Sequence, residues 1–148
     1  MLHAAVLRSP HAHARIIKID TSKAEALSGV KAFVTRADFP TGLRGEDFYL
    51  QENTIAGDRA LYDGHAVAAV AATSALAAKD AIKLIEVEYE ILPHVTDVDE
   101  AMRPDAPVIR KGAQDHTVPE GSPPNIVSYM DFGHCLLYTS DAADEWLR

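Results

Sequence analysis

The run Ala66 to Ala72, AVAAVAA, constrains this chain more than any other stretch, because it is unbroken, small and apolar. A membrane span takes about 20 apolar residues, so the run is far too short to cross a bilayer. It suits a β-strand covered on both faces. Such a strand needs neighbours beside it and a layer packed over it, and the flanking residues supply both. Thr73 or Ser74 offers a helix cap, after which Ala77, Ala81 and Leu84 fall at helical spacing, as do Ala78, Ile82 and Ile85. The next segment, Glu86 to Leu92, alternates Glu86, Glu88 and Glu90 against Val87, Tyr89 and Ile91, which predicts one wet face and one buried face.

The same order of elements is echoed upstream. Leu2 to Arg8 reads as a first strand that stops at Ser9-Pro10, where proline removes a ladder donor. Ala14 to Asp20, with Ile16, Ile17 and Ile19, reads as a second strand. Ser22 with Glu25 three residues on fits a capping box, Gly29 supplies a left-handed stop, and Val30 to Thr35 follows as a third strand. Strand, cap, short helix and strand thus occur around residues 16–35 and again around 66–92. Two such units can share one mixed sheet with both helices on one side, an α+β arrangement. Residues 40–59, with glycines and mixed charges, read as a long surface excursion. From Asp99 onward, prolines at 104, 107, 119, 123 and 124 predict an extended connecting arm.

Composition excludes several functions. The net charge of −8 opposes a phosphate-backbone binder, so nucleic acid is not an expected partner. No secretory signal or membrane span is legible, and the default expectation is a cytoplasmic protein. The sole cysteine, Cys135, permits neither an internal disulfide nor a four-thiolate iron–sulfur cluster. The glycines at 29, 42, 45, 57, 64 and 112 follow no phosphate-cradle spacing. His11 and His13, with His3 and His65, are candidate zinc ligands by spacing, since residues two apart on a strand face one way. They follow Pro10 in an expected turn with no carboxylate at ligand spacing, so turn histidines are the expectation. Glu86, Glu88 and Glu90 read as a solvated face rather than an acid/base pair, which needs distinct environments. Ser9 and Ser74 lack a nucleophile-elbow context. No catalytic, cofactor-binding or metal-ligating residue is therefore expected.

Four stretches, in order, resemble one family: Leu7 to Ile16 (LRSPHAHARI), Ala56 to Ala72 (AGDRALYDGHAVAAVAA), the alanine-rich helix leading into Val87 to Pro93 (VEYEILP), and Pro107-Val108-Ile109. They are similar to the α/β-hammerhead domain that opens the molybdenum-cofactor large subunit of the xanthine dehydrogenase, aldehyde oxidase and aerobic carbon monoxide dehydrogenase family. His65 departs from the glutamine usual there. The resemblance implies a hammerhead over residues 1–100 and an arm over residues 101–134. It implies a parent enzyme that hydroxylates a heterocycle or an aldehyde, or oxidises carbon monoxide, with water as oxygen source. Molybdenum–molybdopterin would belong to the parent subunit, and 2Fe-2S clusters and FAD to partner subunits or domains. The family's catalytic glutamate and pterin-binding loops have no counterpart in this chain, so the expected role is architectural. A stand-alone interaction module with the same fold is the alternative.

Both ends carry expectations of their own. Met1 reads as an internal methionine of a longer subunit. Residues 135–148 begin CLLYTSDAADE, which resembles the translation of a sequencing-library transposase adapter, and the natural reading frame is expected to continue past His134.

Overall fold

The computed structural model describes residues 1–131; the expected adapter-derived tail, residues 135–148, lies outside them. Strands β1 (His3–Arg8), β2 (Ala14–Asp20), β3 (Val30–Val34), β4 (Arg59–Ala60), β5 (Ala66–Ala72) and β6 (Glu86–Ile91) form two three-stranded sheets, β1-β5-β3 and β4-β2-β6. Helices α1 (Ser22–Glu25), α2 (Gly45–Thr54), α3 (Ala75–Lys83) and α4 (Val98–Ala101), with a short 3-10 turn, complete the described elements. The α+β class of the sequence reading stands, while the single mixed sheet becomes two antiparallel ones.

The internal echo explains that correction. Each strand–helix–strand unit places one strand in each sheet: β2 pairs with β6, and β3 pairs with β5, both antiparallel. A parallel return takes a crossover of about a dozen residues or more, and the Asp20-to-Val30 link is shorter than that. The units therefore pair with each other rather than internally. β5 is the central strand of its sheet, which accounts for the unbroken apolar run: Val67, Ala68, Val70 and Ala72 are all buried.

The core lies where α1 and α3 meet the first sheet. Ala24, Ala68, Val70, Ala81 and Ile85 are buried together, with Leu7, Phe33, Ile82 and, from the second sheet, Ile19 and Val87 packed against them. Small side chains on both surfaces let α3 sit close to β5. Its N-terminus is closed by Ser74, whose side chain accepts from the Ala77 amide. Gly29 is required for two reasons. Its φ is +95°, and a Cβ there would lie 2.9 Å from Thr73 Oγ1.

Other local readings shift. The capping box expected at Ser22 and Glu25 does not form, because Thr21 is the N-cap and Glu25 falls one position too far along. Asp20 Oδ1 accepts the Ser22 amide instead, and hydrogen bonds from the Ser22 side chain, from Lys18 and from that amide hold the Asp20 carboxyl below the usual range. A complete capping box forms at Thr35 and Asp38, opening a 3-10 turn (Arg36–Asp38). The expected excursion over residues 40–59 contains α2, which shows little amphipathic pattern and so gave no periodic signal. Ile91, expected on the buried face of β6, is 64% exposed at the strand's end. Among the described residues after α4, turns recur between residues 102 and 125. Asn125 ties them together, its Nδ2 donating to Ala101 O and Pro107 O and its Oδ1 accepting from the Ile109 amide.

Candidate functional site

The motif Ser9-Pro10-His11-Ala12-His13 forms a structural clasp at the end of β1. Ser9 is buried, and its side chain accepts the His11 amide at 3.1 Å, a local turn that lets the chain leave the strand. The Ser9 amide donates to His65 O, the Gly64 amide donates to Ser9 O, and Arg8 Nη1 donates to Gly64 O. His11 meets the Tyr89 ring edge-on at 5.0 Å. His13 donates from Nδ1 to Pro93 O at 2.7 Å and is almost fully buried.

His65 is the most deeply tied of the histidines considered as ligands. It is fully buried and lies flat on Tyr62 at 4.3 Å. The Leu61 amide donates to its Nδ1 at 3.1 Å, so that nitrogen carries a lone pair; Nε2 therefore bears the proton and donates to Glu52 O at 2.8 Å. The Glu52 carbonyl belongs to the last turn of α2, where acceptors lack helical partners. His65 thus fastens α2 to the β4–β5 connection. Burial, with a smaller push from Arg110, lowers its pKa and keeps the ring neutral.

The four histidines do not converge. His3 pairs with Ala72 at one end of β1, while His65 sits beside the Arg8–Ala66 end. Among the described residues no three His, Cys, Asp or Glu side chains lie where they could share a metal ion. His13 Nε2 and Gln51 Oε1 are buried without a hydrogen-bond partner, but Pro93 anchors one side chain and Pro40 the other. Each of these two side chains is thus held by its other polar atom, His13 through Pro93 O and Gln51 through Pro40 O. Glu86 and Glu90 form exposed ion pairs, Glu86 with Lys23 and Glu90 Oε2 with Arg15 Nη1 at 2.8 Å. The pairing with Glu86 raises the Lys23 pKa.

Two concavities were not legible in the sequence. The larger, about 610 Å³, lies between the 3-10 turn, α2, the lead-in to β4 and residues 109–112, with Arg36, Arg59, Arg110 and Lys111 in its lining. These basic residues are too widely spaced to register as a motif. The smaller, about 280 Å³, is a mainly apolar groove where Leu61 and Tyr62 face Val95, Ala101, Pro124 and Val127.

The clasp, the two three-stranded sheets and the alanine-lined core coincide with a known domain. Residues 1–93 match the family described as aldehyde oxidase and xanthine dehydrogenase, a/b hammerhead domain. The chain belongs to that family. It is 45% identical over 124 residues to the carbon monoxide dehydrogenase large chain of Afipia carboxidovorans, a match covering 78% of this chain and 15% of that one. It is 44% identical over 110 residues to the probable hypoxanthine oxidase XdhD of Escherichia coli O157:H7, covering 70% of this chain and 12% of that one. The hammerhead also superposes on a crystal structure of Cu,Mo-CO dehydrogenase with a TM-score of 0.68 at 37% identity, covering 84% of this chain and 16% of the other. This hammerhead chain therefore spans about one-seventh of the length of these two relatives.

Proposed function

We propose that residues 1–100 serve as the hammerhead domain of a molybdenum-cofactor hydroxylase large subunit, with residues 101–134 as the arm leading onward. In this reading the parent enzyme hydroxylates a heterocycle or an aldehyde, or oxidises carbon monoxide, with water as the oxygen source. Molybdenum–molybdopterin would supply the redox chemistry from elsewhere in the large subunit. The hammerhead itself contributes no catalytic, cofactor-binding or metal-ligating residue, and its role is to pack. Its partners are the remainder of the large subunit and the iron–sulfur and flavin subunits or domains. Residues 135–148 are read as adapter-derived, and re-sequencing codons 130–148 from an adapter-free amplicon tests that point.

The observation that carries the reading is the family match over residues 1–93 in a chain spanning so small a part of its relatives. Exposed apolar side chains agree with a domain made to be covered, among them Leu76 (69%), Val98 (75%) and Met130 (72%). The stand-alone interaction module is not favoured, because the relatives are oxidoreductases many times longer.

A domain exchange provides the test. Residues 1–131 replace the matching segment of the carbon monoxide dehydrogenase large chain, and assembly and molybdenum content are measured. The expected outcome is an assembled subunit with molybdenum retained, while the 148-residue chain expressed with cofactor biosynthesis holds none. Stoichiometric molybdenum on the 148-residue chain alone would overturn the architectural assignment.

A further inference from the structure

The geometry points to a binding site for a small oxyanion, a phosphate or carboxylate group, in the cavity of about 610 Å³ between the 3-10 turn, α2 and residues 109–112. This site is independent of the architectural role proposed above. Its walls come from four stretches distant in sequence, which together form a half-open concavity.

The charge balance of the lining is the reverse of the chain's. Arg36, Arg59, Arg110 and Lys111 line it with Glu52 and Asp58, in a protein of net charge −8. Glu52 is paired in charge with Arg110, its Oε2 lying 3.0 Å from Arg110 Nε without hydrogen-bond geometry. Arg110 is further held by Asn53 Oδ1 at 2.9 Å and lies over the Tyr49 ring. Asp58 is a weak counterion, 90% exposed and 4.0 Å from Arg59. Neither Arg36 nor Lys111 pairs with Glu52 or Asp58, the two carboxylates of the lining.

Arg36 is also positioned. Its stem passes over Gly57, where a Cβ would come within 3.8 Å of Arg36 Nε, and Nη1 donates to Pro40 O at 3.4 Å. The same carbonyl accepts from Gln51 Nε2 at 3.0 Å, which fastens the Arg36 turn to α2. A concave site with low-dielectric walls focuses the field of its cations and attracts anions. Guanidinium groups match an oxyanion in two-point geometry, and a lysine adds a mobile point charge. Phe48, 40% exposed, adds an apolar wall against which the body of a carboxylate ligand can rest.

The test titrates the full 148-residue chain with inorganic phosphate, and separately with a benzoate salt, following backbone amide NMR shifts at constant ionic strength. Saturable shifts confined to residues 36–41, 48–52, 57–61 and 109–112 are expected. Arg36→Glu combined with Lys111→Glu should weaken binding about tenfold or more, with little change in the melt. Saturation by phosphate alone, or by both anions, supports the site and identifies its ligand class. Shifts scattered over every surface Lys and Arg, or binding unchanged in the double variant, would overturn it. The shift map needs no variant, so the proposal stays open to refutation even if the double variant does not fold.

Discussion

In the sheet β1-β5-β3 the central strand carries Val67, Ala68, Val70 and Ala72 into buried surroundings. In the sheet β4-β2-β6 the central strand sets Arg15 opposite Glu90 and Lys18 opposite Glu88, with side chains in water. Both sheets are antiparallel and three-stranded, and each takes one strand from each repeated unit. The first is held chiefly by apolar burial under α3, where a fully buried valine contributes about 1.5–3 kcal/mol. The second leans on that core through Ile19 and Val87 and gains little from its outer face. Matching topology thus hides an unequal division of stability.

That division can be broken most sharply at Val70, which is 1% exposed. Val70→Asp buries an unpaired carboxylate, costs about 4 kcal/mol or more, and should abolish the cooperative thermal melt seen by circular dichroism. A variant that melts like the parent would mean that the first sheet is not the stability centre.

The fastening of α2 to the β4–β5 connection should come second. His65→Phe leaves the Leu61 amide and the Glu52 carbonyl without their partner, a loss of about 2–4 kcal/mol read from the melt and from faster Leu61 amide exchange. The same histidine imposes a pH dependence. Its folded pKa lies below the ordinary 6.5, so below that pH the unfolded chain binds a proton that the native ring refuses. Stability is therefore full above about pH 6.5 and declines as pH falls towards the folded pKa. In His65→Phe this histidine-dependent part of the slope between pH 7 and pH 5 should vanish; an unchanged slope would assign it to other groups.

The smallest effect belongs to the outer face of the second sheet. Glu90→Gln removes the ion pair with Arg15, both side chains being about half exposed, and should change stability by no more than about 0.5 kcal/mol. Salt should shrink even that difference. A loss comparable to that of His65→Phe would show that the ionic rungs matter as much as that fastening.

How much of this was legible varies element by element, and the reasons are physical. β5 was placed at its observed bounds by an unbroken apolar run and β2 by its isoleucines, and α3 nearly so by helical spacing, because burial selects apolar residues at neighbouring positions. α2 left no such imprint, since its burial depends on the Pro40 carbonyl and on His65, single contacts that create no period. The motif RSPHAHARI was visible as a family signature, but its use as a clasp was not. Ser9 and His65 are joined through backbone groups 56 residues apart in sequence. The basic cavity was illegible for the same reason, as Arg36, Arg59 and Lys111 meet only after the chain has turned back on itself.

By itself, then, the sequence determined the α+β class, the repeated strand–helix–strand units and the family resemblance, all of which rest on local periodicity and short motifs. Only the tertiary structure decided that each unit divides its strands between two sheets, that His65 is a neutral fastener, and that four basic residues line one cavity. Pairing partners and charge clusters depend on which distant segments come within a few ångströms. That choice is made by the closing of the core around β5, not by any residue's immediate neighbours.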